Sequence, residues 1–278
     1  MLLALGSGLI YGVSDYLGGR VSRRLAPVVV TLIAELTLFA VTLAVVPLVE
    51  TSGPSSRALW WGIVGGLAGS TGVLGLYLAL SRGNMTVVAP ITGVVAAAVP
   101  VIVGLALGER PGPVAGMGIV TALAAVVLIG GMVGVSKVAP ATVGLAAMVG
   151  VAFGMLFVAY SRTGDDAGLW PLFTARFGAT PLLIAALLLA RRRDPTVGLC
   201  REALLPGATI GILVGLANGL YLLAARRGLL SIAAVLVALY PASTVALASI
   251  LDGERATRSQ LVGMGLAAVA VTLITLGA

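Results

Sequence analysis

Long runs of apolar residues, separated by short polar breaks, repeat along the whole chain. A helix rises about 1.5 Å per residue, so roughly 20 apolar residues cross the ~30 Å hydrocarbon core of a bilayer. On this criterion the pattern predicts an all-α membrane protein with ten transmembrane helices. Their expected ranges are 2–19, 27–49, 58–80, 85–107, 113–134, 140–161, 169–190, 204–225, 230–251 and 259–277. The connections are too short to fold as separate domains, so we expect function to lie within the helix bundle.

The composition supports a membrane protein and excludes several chemistries. The chain has 278 residues, of which 59% are hydrophobic and 10% charged, and its mean hydropathy is +1.13. A soluble domain carries roughly 25% charged residues, so lipid must cover much of this surface. The chain has no histidine and one cysteine. These counts exclude an intrachain disulfide, the usual histidine-containing metal sites and a Ser-His-Asp triad. We therefore expect no cofactor, no metal and no enzymatic activity.

The distribution of charge indicates a lipid bilayer as the partner, not nucleic acid. The net charge is +7, but Arg and Lys occur in small clusters between apolar runs and not on one basic face. Such clusters are typical of the ends of membrane spans. The first apolar stretch lacks a preceding basic segment and contains Asp15, so it is expected to be a first span and not a cleaved leader.

An internal repeat divides the chain into two halves. The triplet Gly-Glu-Arg at 108–110 recurs at 253–255, an offset of 145 (253 − 108). At the same offset a series of small residues also recurs, namely Gly62, Gly66 and Ser70 against Gly207, Gly211 and Gly215. Small residues four apart lie on one helix face and allow close helix packing. We expect five-helix repeats at 1–137 and 138–278. An odd span count inverts the second repeat, an arrangement typical of secondary transporters.

The sequence resembles the drug/metabolite transporter superfamily, in particular its EamA-type ten-helix members. The resemblance rests on the two Gly-Glu-Arg turns, the glycine-rich spans that follow them, the opening Tyr-Gly-Val-Ser-Asp-Tyr-Leu-Gly-Gly at 11–19, the mid-span Pro90 and Pro241, and Arg176 after Pro171. The first half departs from the pattern and has Glu35 in the region that matches Arg176. The resemblance implies transport of small metabolites by alternating access, through a cavity lined mainly by spans one, three, four, six, eight and nine.

Three charged residues lie inside predicted spans: Asp15, Glu35 and Arg176. A charge at mid-membrane costs at least ~2.5–3.5 kcal/mol on insertion scales, so such residues pair or line a wet cavity. Asp15 shares a small, polar helix face with Gly8, Tyr11 and Gly12. It either lines the cavity and binds substrate or a proton, or sits at headgroup level and pairs with a nearby arginine such as Arg20.

Glu35 and Arg176 each have two interpretations. Glu35 is a candidate for proton coupling, because a carboxylate shielded from water can exchange a proton near neutral pH. Arg176 is a candidate substrate contact, because a guanidinium binds a carboxylate bidentately. Alternatively, the two residues form a structural ion pair across spans two and seven.

Uncharged candidates follow from the repeat. Asn218 lies on the glycine face of span eight with Tyr221 three residues on, and Tyr77 is the nearest equivalent in span three. An amide and phenols inside a bundle serve either as substrate contacts or as interhelical hydrogen bonds. Pro90 and Pro241 are expected to kink or break spans four and nine, which either turns free carbonyls toward the cavity or only changes helix direction.

The leading function is therefore secondary transport of small metabolites, amino-acid-like or amphipathic, as a proton- or ion-coupled exporter. The alternative is a channel or facilitator for small solutes. We expect a multi-pass protein of a cell membrane, such as the bacterial inner membrane, acting as a monomer or homodimer. Loops on the side opposite the termini hold eleven Lys and Arg against five on the termini side. This count places both termini outside, whereas the family resemblance implies cytoplasmic termini.

Overall fold

A computed structural model of the chain describes residues 1–81, 85–129, 140–252 and 256–277. For residues 77–81, 85–90 and 140 it describes the backbone only. All regular structure in these ranges is helical, with a short 3₁₀ turn at Asp165–Ala167. The α-helices are α1 Leu2–Ser22, α2 Pro27–Val49, α3 Ser56–Ser81, α4 Met85–Ala106, α5 Pro113–Ile129, α6 Pro140–Ser161, α7 Trp170–Arg193, α8 Arg201–Arg226, α9 Leu230–Val237, α10 Pro241–Leu251 and α11 Arg258–Gly277.

The helices follow the predicted apolar runs closely, with one difference. Spans two and six begin and end where the pattern placed them, and most other ends agree within three residues. The predicted span at 230–251 is split into α9 and α10 by a turn at 238–240. Pro241 is the first residue of α10. Proline has no N–H to donate to the Val237 carbonyl and its ring clashes with that carbonyl, so α9 cannot continue as a regular helix through Pro241.

Seven of the described segments are long and apolar enough to cross a membrane, with α9 and α10 counted as one. The described apolar parts of α4 and α5 are shorter, and α1 is not among the seven. Asp15 and Arg20 lower the hydropathy of α1. The described part of the chain is therefore an all-helical membrane bundle.

Successive antiparallel helices place the two chain termini at one end of the bundle, which we call the termini end. Gly277, the last residue of α11, packs beside Val114 at the start of α5. Glu109, in the loop between α4 and α5, likewise contacts the start of α9. At the opposite end, the last turn of α1 meets the end of α10 through Arg20 and Asp252.

The glycine series allows the two halves to cross at close range. A side chain at Gly66 of α3 would collide with the backbone carbonyl of Ala175 on α7. In the same way, a side chain at Gly211 of α8 would collide with the carbonyl of Ala34 on α2. Each glycine-rich helix thus packs against a helix of the other half. Glycine is required at these crossings because a larger residue would not fit between the helices, and not because glycine makes the backbone flexible.

Candidate functional site

A cavity of about 130 Å³ lies in the middle of the bundle, where the two halves meet. One water molecule needs roughly 10–15 Å³ on the same measure, so the cavity has room for a small solute. Helices α1, α3, α4, α6 and α8 and the turn at 238–240 contribute to its wall. Helices α2 and α7 also line it, which the family resemblance did not imply. They do so around the residues Glu35 and Arg176.

Glu35 and Arg176 form a buried ion pair at the cavity wall. Arg176 Nη1 donates to Glu35 Oε2 at 2.5 Å, and the two side chains are 8% or less exposed. Thr180 Oγ1 donates to Glu35 Oε1 at 3.2 Å, while Arg176 Nε donates to the Leu172 carbonyl at 3.0 Å. The structural ion pair considered from the sequence is therefore present, and it occupies both groups that were considered for coupling and for substrate binding.

The helix crossings explain why these two charges meet. Glu35 follows Ala34, whose carbonyl lies against Gly211, and Arg176 follows Ala175, whose carbonyl lies against Gly66. The acid and the base therefore occupy matching positions on α2 and α7. The first half carries the acid and the second half carries the base, and their ion pair neutralises both charges where the two halves meet.

Asp15 lines the same cavity but has a different environment. Among the described residues its carboxyl group forms no hydrogen bond and no ion pair. Arg20, the alternative partner considered above, pairs instead with Asp252, with Nη1 to Oδ1 at 2.9 Å. Tyr16 donates to the same carboxylate at 2.8 Å. Asp15 is thus available inside the cavity.

The small face of α1 divides between packing and cavity. Of the residues that share this face in the sequence, Gly8 and Gly12 lie in helix contacts, and Tyr11 and Asp15 lie at the cavity. Gly8 packs against the carbonyl of Val237, and Gly12 packs against Tyr240 and Ser243. Both glycines are buried because α1 must approach the interrupted ninth span closely enough for these contacts. Tyr11, Ser14 and Asp15 are the residues of α1 that reach the cavity.

The uncharged candidates also separate. Asn218 lines the cavity and accepts a hydrogen bond from the Tyr11 hydroxyl at 2.7 Å. Tyr221 is fully buried outside the cavity wall, and its hydroxyl donates to the Phe157 carbonyl at 2.9 Å. Tyr221 therefore holds α8 against α6 and does not face the cavity. The side chains of Tyr77 and Pro90 lie outside the described residues.

Sequence reasoning missed the aromatic part of the cavity wall. Phe153, Phe157 and Tyr160 of α6 line it, together with Tyr240 from the turn before Pro241. The Tyr160 hydroxyl lies near the Arg176 guanidinium without a well-formed hydrogen bond, and no other described residue bonds to it. Aromatic residues in an apolar run carry no positional signal. The break at Pro241 was the one sequence feature that pointed to Tyr240.

The turn at 108–110 has a role in positioning that the repeat alone did not reveal. Glu109 accepts hydrogen bonds from the backbone N–H groups of Leu230 at 2.5 Å and Ser231 at 3.0 Å. These N–H groups open α9 and lack partners within the helix. A carboxylate also interacts favourably with the positive end of the helix dipole. Glu109 thereby anchors the half-helix that leads to Tyr240. The matching triplet at 253–255 lies outside the described residues.

Comparisons with known proteins agree with this architecture. The sequence model of the EamA-like transporter family matches residues 1–131 and again residues 141–276. A solved structure titled "Crystal structure of protein" superposes with a TM-score of 0.79 over 99% of this chain and 96% of that chain, at 19% identity. That likeness concerns the fold alone. No curated protein gives a significant sequence match. With both halves matched by one family, and with an all-helical bundle around a central cavity, the chain belongs to the EamA-like transporter family of membrane transporters.

Proposed function

We propose that this protein is a secondary transporter that moves small metabolites, amino-acid-like or amphipathic, across a cell membrane by alternating access. In this proposal ten segments cross the bilayer, as two inverted repeats at 1–137 and 138–278. The substrate occupies the central cavity between the repeats. Transport is coupled to a proton or ion gradient, and export is the working direction.

The observation that carries the proposal is a cavity at mid-bundle, lined by three charged side chains, with close helix packing on its side toward the termini end. On that side the Ser7 hydroxyl donates to the Ala217 carbonyl at 2.7 Å, and both residues are fully buried. Val237 is also fully buried and packs against Gly8. These contacts pack α1 against α8 and α9 on that side, which favours a site exposed to one side at a time over a continuous pore.

Asp15 is the better candidate for the coupling residue. A coupling carboxylate must gain and lose a proton as the cavity changes sides, so it has to be reachable from the cavity and free of a permanent partner. Asp15 meets both conditions within the described residues. Glu35 meets the first only, because Arg176 and Thr180 already hold its two oxygens.

The decisive experiment uses the full-length protein in liposomes. Metabolites are screened for uptake with and without an imposed pH gradient, and each hit is tested for counterflow. Saturable uptake that is accelerated by unlabelled substrate on the opposite side supports alternating access. Flux that rises linearly with concentration and shows no counterflow would indicate the alternative, a channel or facilitator.

Two carboxamide variants then assign coupling. Asp15→Asn should abolish the dependence of uptake on the pH gradient, while counterflow measured at saturating substrate remains, because exchange needs no net proton movement. Glu35→Gln is expected to keep proton-dependent transport when the transport rate is divided by the amount of folded protein. If Asp15→Asn keeps the full pH-gradient dependence, Asp15 is not the coupling residue.

A further inference from the structure

The charged groups of the central cavity leave one negative charge without a partner. Among the described residues three charged side chains line it, the acids Asp15 and Glu35 and the base Arg176. Glu35 and Arg176 are joined at 2.5 Å and neutralise each other. Asp15 remains, with no ion pair among the described residues. An isolated carboxylate in a cavity shielded from bulk water is unfavourable, so a bound cation would be stabilised there.

The wall beside this carboxylate is aromatic. Tyr11 lies one turn before Asp15 on α1, and Tyr240 from the broken span contributes to the same cavity. Phe157 packs edge-on against Tyr11, with ring centroids 6.4 Å apart, and Phe153 lines the wall one turn earlier on α6. Aromatic faces attract organic cations and also provide apolar surface for the rest of the molecule.

The cavity offers little to a carboxylate. Its one guanidinium is engaged twice, by Glu35 through Nη1 and by the Leu172 carbonyl through Nε. A substrate carboxylate would have to displace Glu35 and leave that acid unpaired beside it. The Tyr11 hydroxyl, a donor that a carboxylate might use, is already bonded to Asn218. A zwitterion would therefore find an unpaired acid for its ammonium group, whereas its carboxylate would find no unengaged cation among the described residues, only neutral donors such as the Tyr160 hydroxyl.

We propose that the cavity binds a small monocationic amine with an apolar body, and that Asp15 is the counter-ion of its ammonium group. This inference rests on the proposed transport function, because it names the substrate class of the same site. It narrows the expectation from the sequence, in which Arg176 was a candidate partner for a substrate carboxylate. An amine lacking a carboxylate satisfies Asp15 and leaves the Glu35–Arg176 pair intact.

Three compounds that share a phenylethyl group test whether the cavity prefers a positive or a negative charge. Phenethylamine carries only the ammonium group, 3-phenylpropanoate only the carboxylate, and phenylalanine both. Binding to the purified full-length protein in detergent is measured by titration calorimetry at constant pH. We expect phenethylamine to bind at least 10-fold more tightly than either other compound. Equal or tighter binding of phenylalanine or 3-phenylpropanoate overturns the inference, as does binding of none of the three.

Variants locate the contact. Asp15→Asn should weaken phenethylamine binding by about 30-fold or more, the usual result of removing one partner of a buried charge pair, and Asp15→Glu should retain most of the affinity. Asp194→Asn removes an acid from the exposed end of α7 and is expected to leave binding unchanged. A folded Asp15→Asn protein with wild-type affinity would contradict the assignment. If this variant fails to fold, the binding of the three compounds to the wild-type protein still tests whether the cavity prefers an amine.

A flux measurement separates this inference from the transport function. Phenethyltrimethylammonium has a permanent charge and does not cross lipid by itself. Its saturable counterflow in liposomes supports both proposals. Counterflow of phenylalanine with none for the cation refutes the amine preference and leaves the transport function intact. Tight binding of the cation without any flux would support the amine-binding site and would refute transport of organic cations by this protein.

Discussion

The Glu35–Arg176 pair should be the most sensitive polar contact for the stability of the bundle. Both side chains are at least 92% buried, and their closest atoms are 2.5 Å apart. With about 4 Å between charge centres and an effective dielectric constant near 20, the Coulomb energy is roughly 4 kcal/mol. Removing one partner of a buried pair costs about 3–5 kcal/mol, which agrees with this figure.

The two single variants should differ in severity. Glu35→Gln leaves a buried guanidinium that cannot lose its proton, so it is expected to lower the free energy of unfolding by the full amount. Arg176→Gln leaves a carboxylate that can be neutralised by a proton, so its effect should be smaller and should shrink at acidic pH. For a chain of this length, the larger loss corresponds to a fall in Tm on the order of 10 °C.

The measurement is thermal unfolding in detergent, followed by tryptophan fluorescence, for both singles and for the double variant Glu35→Arg plus Arg176→Glu. Because the two positions match on α2 and α7, the exchanged charges should meet again and recover at least half of the lost Tm. Arg20→Gln, at the exposed pair with Asp252, is the control and should change Tm little. Single variants as stable as the wild type, or an exchanged pair that is less stable than either single variant, would refute the reasoning.

Three further predictions concern packing and hydrogen bonds. Gly12→Ala should destabilise the protein by about 1–3 kcal/mol, because its new methyl group meets the Tyr240 carbonyl at 2.6 Å; Gly19→Ala, which meets nothing within 4 Å, should be neutral or slightly stabilising in the same unfolding assay. Glu109→Ala should slow transport and lower stability by about 1–3 kcal/mol, because the first N–H groups of α9 lose their acceptor; an unchanged transport rate in liposomes would argue against its positioning role. Tyr11→Phe should alter substrate affinity more than Tm, because it frees the Asn218 amide at the cavity wall; the two effects are separated by titration and by thermal unfolding.

Much of the fold was predictable because lipid imposes a simple rule on sequence. A segment in hydrocarbon must be apolar and must satisfy its own backbone hydrogen bonds, so an apolar run of sufficient length is a helix. The predicted ranges at 27–49 and 140–161 therefore coincide with α2 and α6. The span that broke did so directly before Pro241, where the local chemistry already indicated a break.

The site was predictable only where a residue is rare in its surroundings. A charge in a membrane span stands out, so Asp15, Glu35 and Arg176 were identified, and all three line one cavity. An aromatic residue in such a span is ordinary, so Tyr160 and Tyr240 were missed. Tyr221 was selected through its spacing from Asn218, but spacing on one helix does not say which neighbour receives a hydroxyl group.

By itself, the sequence determined the helices and the two-fold repeat, because these follow from local hydropathy and from self-similarity, and its motifs carried the resemblance to a transporter family. Only the tertiary structure decided which charges meet. Two alanine carbonyls lie against Gly66 and Gly211, and these contacts bring Glu35 to Arg176 across the two halves. Pairing depends on helix crossings between residues 141 positions apart (176 − 35), which no local pattern encodes. Among the described residues, Asp15 is then the acid of the cavity that has no ion-pair partner.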